Sequence, residues 1–239
     1  MLEIKYVNTL KALIDEVLSS EATKIESLAH KIAASLVNGG VLHVFGSGHS
    51  AMIGKEVVHR AGGLMPINLI PDPTEGMAER VEGYGSILIQ RYCEKYGFQE
   101  GEVLIVVSTS GRNPLPIEIA LGAKAKGVFT SAITSVEFSR VFPSRHSSGK
   151  RLFEVVDLVI DNHVPVGDAV VEIPGIEQRV GPVSTIIGAL IMNMIIVRTT
   201  EEILALGSMP PILLSQNLDG ADAHNRALHH KYRHRLTFW

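Results

Sequence analysis

One cysteine, Cys93, and one tryptophan occur in 239 residues. A single thiol closes no internal disulfide and anchors no cysteine metal cluster, which points to a reducing compartment, the cytoplasm. Aromatic residues make up only 5% of the chain, so Leu, Ile, Val and Ala must fill the core. Neither sign of charge dominates: Lys and Arg total 22 against 25 Asp and Glu, a net charge of -3. That balance argues against nucleic acid or a membrane surface as a partner. The longest apolar stretch, residues 186–197, is broken by Asn193. It falls short of the roughly 20 residues that a membrane-spanning helix needs and reads as a buried helix. Glu3 and Lys5 interrupt any apolar leader. What the chain does have is apolar surface. Hydrophobic residues are 46% against 20% charged, which excludes disorder and allows a large core.

Tyr6, Leu10, Leu13 and Val17 recur at helical spacing. A second helix carries Ile25, Leu28, Ala29, Ile32 and Leu36 on one face, with Ser20 expected as its N-cap and Asn38-Gly39-Gly40 as its stop. Strands and helices then alternate. Strands are expected at 41–45, 64–70, 103–107, 128–134 and 158–161, and helices at 51–61, 84–96, 115–126, 183–204 and 221–236. Short continuous apolar strands separated by helices imply a parallel sheet covered on both faces. The expected fold is α/β, a three-layer αβα sandwich whose five-stranded sheet has the flavodoxin-like order 2-1-3-4-5. One domain is expected, with N-terminal helices at 1–40, an α/β core at 41–205 and a C-terminal helical extension at 206–239.

In such a sheet, ligands bind beyond the carboxyl ends of the strands, where the strand order reverses. Two small-residue turns fall there: Gly46-Ser47-Gly48-His49-Ser50 after the first strand and Ser108-Thr109-Ser110-Gly111 after the third. The second precedes a helix. It can offer three hydroxyls, backbone N–H groups and a helix N-terminus, a donor set suited to a phosphate monoester. No lysine follows its glycine, and Ala51 stands where a dinucleotide loop has its third glycine. A small phosphorylated ligand fits better than ATP or NAD, and no cofactor is expected.

These two motifs, extended to Phe45 on one side and to Val107, Arg112 and Asn113 on the other, resemble the SIS (sugar isomerase) domain family of phosphosugar isomerases and phosphosugar-binding proteins. The resemblance covers roughly residues 29–202, and the layout looks like an uncharacterised bacterial group within that family. It implies that Ser108, Thr109, Ser110, Gly111 and Asn113 hold the phosphate. Gly46, Ser47, Gly48, His49 and Ser50 would face the sugar, and Ser184 either touches the ligand or caps a helix. Phosphoheptose isomerases carry a glutamate where this chain has Arg60 and a histidine where it has Glu56, so their machinery does not transfer directly.

An aldose–ketose isomerase needs a base and an assisting acid. The expected candidates are Glu177, Glu75, His163 and His59. The expected activity is a phosphosugar isomerase working through an enediol, and the alternative is a non-catalytic phosphosugar-binding sensor. A homodimer or homotetramer is expected as the assembly. The tail holds His224, His229, His230 and His234 among Arg226, Lys231, Arg233 and Arg235. It reads as a solvated basic helix rather than a metal centre, with His224 the candidate to reach a neighbouring subunit's crevice.

Overall fold

The computed structural model describes residues 1–237. Five apolar segments form strands: β1 (Leu42–Gly46), β2 (Ile67–Leu69), β3 (Val103–Val107), β4 (Phe129–Thr134) and β5 (Leu158–Asp161). They make one parallel sheet in the order β2-β1-β3-β4-β5, as expected. Register sets Leu42 against Ile67 and Val103, and His43 against Asn68 and Leu104. Side chains alternate along a strand, so Leu42, Val44, Val103, Ile105 and Val107 share one face. His43, Phe45, Leu104 and Val106 share the other, and all are buried.

Helices cover both faces. Under the first lie α2 (Ala22–Val37), α3 (Ser50–Val57) and α7 (Ser184–Ala205), packing through Leu28, Ile32, Ile53, Ile187 and Ile191. Over the second lie α4 (Tyr84–Lys95) and α5 (Pro114–Lys124), packing through Leu88, Ile89, Leu115 and Ile119. Each such aliphatic side chain contributes about 1.5–3 kcal/mol by burial. Outside this sandwich, α1 (Leu2–Ser20) buries only Val17. Among the described residues, no helix is long and apolar enough to cross a membrane.

The short helix α6 (Val136–Val141) and the antiparallel pair β6 (Ala169–Val171) and β7 (Val180–Pro182) were not legible as periodic patterns. The last helix, α8 (Ala221–Tyr232), ends four residues before its expected limit of 236. Ser20 is not the N-cap of α2. It closes α1 by donating its hydroxyl to Glu16 O at 2.7 Å, and Glu21 occupies the cap position.

The C-terminal extension accounts for the largest boundary shifts. Gly62 N donates to Leu213 O at 2.8 Å, Leu213 N to Gly63 O at 2.9 Å and Met65 N to Pro211 O at 2.8 Å. This pairing stops α3 at Val57 rather than 61 and delays β2 to Ile67. Tyr232, Leu236 and Leu213 bury against Met65. Arg235 then reaches the sheet, donating to Glu102 just before β3 at 2.7 Å, and its carbonyl accepts from the buried Asn68 side chain of β2 at 2.6 Å. The tail is therefore a clamp on the sheet, not merely a solvated basic helix.

Candidate functional site

β1 and β3 are neighbours, so their carboxyl ends place the two small-residue turns side by side. At the first turn, a Cβ on Gly46 would lie 2.4 Å from Ser50 O, so only glycine lets α3 begin so abruptly. Ser47 is buried, whereas Gly48 and His49 are exposed. Residues 72–76 pack directly on this turn: a Cβ on Gly76 would stand 3.0 Å from Gly48 Cα.

Asp72 organises that contact. Its carboxylate accepts from Ser47 Oγ at 3.1 Å, Thr74 N at 3.0 Å, Thr74 Oγ1 at 2.7 Å, Gly76 N at 2.9 Å and Tyr84 Oη at 3.0 Å. Partial burial alone would raise its pKa, but the bonds from Thr74, Tyr84 and Gly76 outweigh that and hold it below the usual carboxylate range. Asp72 is thus an ionised anchor that ties the first turn to residues 74–84.

The second turn divides its donors. Ser108 N continues the sheet to Ile133 O at 3.1 Å, and Gly111 N donates to Ser108 Oγ at 3.3 Å. Leu115 N, in the first turn of α5, donates to Glu79 O at 3.3 Å. Among the described residues, the N–H groups of Thr109, Ser110, Arg112 and Asn113 have no acceptor. Gly111 has φ 56°, and a Cβ there would meet Thr134 Oγ1 at 2.9 Å. A left-handed residue within a turn is a feature of anion-binding nests. Asn113 precedes the proline-led start of α5 and is buried, and its Oδ1 accepts from Arg145 Nη1 at 2.9 Å. This bond leaves its Nδ2 as a further donor.

The segment 143–149 lies against this turn: Arg145 N donates to Arg112 O at 2.8 Å. Its His146 approaches Glu82 and Glu118, and the three ligand atoms lie within 4.8 Å of one another. The donor chemistry does not fit a metal. Both Glu118 oxygens accept from the start of α4, Gly83 N at 2.5 Å and Ser86 N at 3.0 Å. His146 Nδ1 accepts from Ser148 N at 3.2 Å, which leaves the ring proton on Nε2, the nitrogen facing the carboxylates. Glu118 is a helix cap.

The other expected site residues are scattered. Glu75, with φ 51°, is exposed beside the first turn, one residue before the Gly76 contact. His163 follows β5, two strands from β3, where its Nε2 lies 2.8 Å from Ser20 Oγ and 3.6 Å from Glu21. Glu177 is exposed in a groove with Leu2, Lys5, Glu172 and Arg179, which contains neither turn. His59 and Arg60 line a cavity of about 550 Å³ with Leu213, Asn225 and His229 of the C-terminal extension. Burial and then the neighbouring His229 lower the His59 pKa. Arg60 pairs with Glu56, although α3 has already ended before it. Ser184 is committed to Asp168, which accepts from its hydroxyl at 2.7 Å and from the N–H groups of Val183 and Ser184 at 2.9 and 2.8 Å. His224 points back to Ile212 O, at 2.9 Å, within its own chain.

Sequence reading missed Asp72, Arg145 and Glu118 as organisers of the crevice. Asp72-Pro73-Thr74 carried a signal, because an Asp two residues before Thr favours a side-chain-closed turn. Arg145 and Glu118 carried none, since their partners are distant in sequence.

An open parallel sheet with a donor-rich crevice at the ends of its central strands defines the class. The chain belongs to the SIS domain family, whose model matches residues 5–135. It is 41% identical to a UPF0309 protein of Geobacillus kaustophilus, over 97% of this chain and 94% of that protein. Its fold is that of a phosphoheptose isomerase from Neisseria gonorrhoeae (TM-score 0.55, 14% identity, 83% of this chain and 95% of that one). It also matches the NanR protein of Vibrio vulnificus, solved with ManNAc-6P (TM-score 0.55, 11% identity, 87% of this chain and 67% of that one).

Proposed function

We propose that the crevice between the β1 and β3 turns binds a sugar phosphate and that the protein interconverts its aldose and ketose forms. The observation that carries this reading is the second turn, with its four N–H groups left without protein acceptors. The phosphate rests on Ser108, Thr109, Ser110, Gly111 and Asn113, where uncompensated donors gain most from a dianion. The sugar lies toward Gly46, Ser47, Gly48, His49 and Ser50.

Isomerisation removes a proton from the carbon beside the carbonyl and returns it to the former carbonyl carbon, while the hydroxyl proton moves to the other oxygen. Within one chain Glu75 is the expected carboxylate that stands beside the first turn, and we assign it the base. Glu177, His163 and His59 would serve only if a second copy of the chain brought them to the crevice, which makes the homodimer or homotetramer part of the proposal. Exposed Val197 (63%) and Leu204 (54%) on α7 suit such a contact.

The second reading is a phosphosugar-binding sensor. Arg60 favours it, standing where the resemblance calls for a glutamate and facing away into the C-terminal cavity. Incubation with a panel of sugar phosphates in deuterium oxide separates the two. Solvent deuterium at C1 or C2 of any sugar establishes enolisation. Tight binding across the panel with no deuterium gained would eliminate the isomerase and leave the sensor.

A further inference from the structure

The donors of the second turn suffice for one phosphate, yet the basic side chains around it exceed that need. Arg112 follows the turn directly, and its Nε donates to Pro143 O at 3.1 Å while its guanidinium lies 5.0 Å from the Phe142 ring centroid. Arg151 Nε donates to Phe142 O at 3.2 Å. Arg145 is tied to Arg112 through its backbone and to Asn113 through its side chain. Partial desolvation, then Arg145, Arg80 and Arg151 in turn, depress the Arg112 pKa, so the charges of the other three reach Arg112.

These charges are poorly compensated. Arg151 meets Glu154 at 3.5 Å, but among the described residues Arg80, Arg112 and Arg145 have no carboxylate within ion-pair distance. Glu82, on the same side, is committed to the N–H and hydroxyl of Ser147. In a chain whose net charge is -3, gathering like charges without counter-charges costs stability that a bound anion restores.

We propose that this arginine rim receives a second anionic group of the ligand, so that the substrate class is a sugar phosphate bearing a further phosphate or carboxylate. The inference deepens the phosphosugar reading and rests on it.

Titration calorimetry with fructose 6-phosphate, fructose 1,6-bisphosphate and 6-phosphogluconate tests it. The doubly anionic ligands should bind about tenfold or more tightly than the monophosphate, with a steeper loss on adding salt. In the double variant Arg80→Gln, Arg112→Gln that ratio should fall toward one. Ser110→Ala should instead weaken all three ligands and preserve the ratio. Equal affinities in the unaltered protein, or a ratio that survives the double variant, would overturn the rim and leave the phosphate turn standing. Binding of none of the three would remove the phosphosugar reading and the rim with it. Retention of a DNA duplex that the double variant abolishes would assign the patch to nucleic acid and overturn the proposal.

Discussion

The two ends of β1 and β3 treat polar groups in opposite ways. At the amino ends, Glu102 is 1% exposed and saturated. It accepts from Val41 N at 2.9 Å, Gln99 N at 2.7 Å, Arg235 at 2.7 Å and His43 Nε2 at 3.0 Å. His43 in turn accepts at Nδ1 from Tyr92 Oη, 2.7 Å away. Burial, outweighing Glu102, keeps the His43 pKa low, so the imidazole is neutral and the charge pair is Glu102 with Arg235. At the carboxyl ends, the backbone N–H groups of Thr109, Ser110, Arg112 and Asn113 have no acceptor among the described residues. The same strands thus carry a closed network that fixes the fold and an open set of donors, the proposed anion site. Satisfaction of donors, rather than polarity or burial alone, separates the structural end from the proposed ligand-binding end.

That contrast can be broken at either end. Glu102→Ala should have the largest effect, about 3–5 kcal/mol in chemical denaturation, because it strands a half-buried arginine, a buried histidine and two backbone N–H groups. Gly46→Ala comes next at about 1–3 kcal/mol, since the new Cβ collides with Ser50 O. It should also abolish phosphosugar binding, because the first turn must move.

Acidification probes both ends, at no more than about 1.4 kcal/mol per pH unit per group. The folded pKa of His43 lies below its ordinary 6.5. The unfolded chain therefore takes up a proton first, and stability should begin to fall as pH drops below 6.5. Glu102 and Asp72 also have lowered pKa values, so their stabilisation persists above the ordinary carboxylate range and is lost as pH falls through it. A stability profile flat from pH 7 to 5 would contradict the neutral buried histidine. Ser110→Ala should be the mildest to the fold, within about 0.5 kcal/mol, yet weaken phosphate binding by about 1 kcal/mol, or five- to tenfold.

Sequence patterns carried the sheet order and both turns, because continuous apolar strands and Gly/Ser clusters are local signals. They did not carry the limits of α3 and β2, which residues 211–213 impose from far along the chain. Nor did they carry Arg235, whose basic surroundings resemble a solvated helix until Glu102 is placed beside it. Within the crevice, the Ser-Thr-Ser-Gly turn was legible, while Asp72 and Arg145 became organisers only when the fold brought Ser47 and Asn113 to them. The catalytic candidates were the least legible, because a lone Glu or His in a loop has no periodicity to reveal its direction.

The most direct measurement is a backbone amide chemical-shift titration with a sugar phosphate. The largest shifts should fall on Thr109, Ser110, Arg112 and Asn113, with Val41 and Gln99 at the saturated end unmoved. Shifts centred instead on the cavity around His59 and Asn225, or none at the second turn while the ligand binds, would contradict the assignment of that turn as the phosphate site.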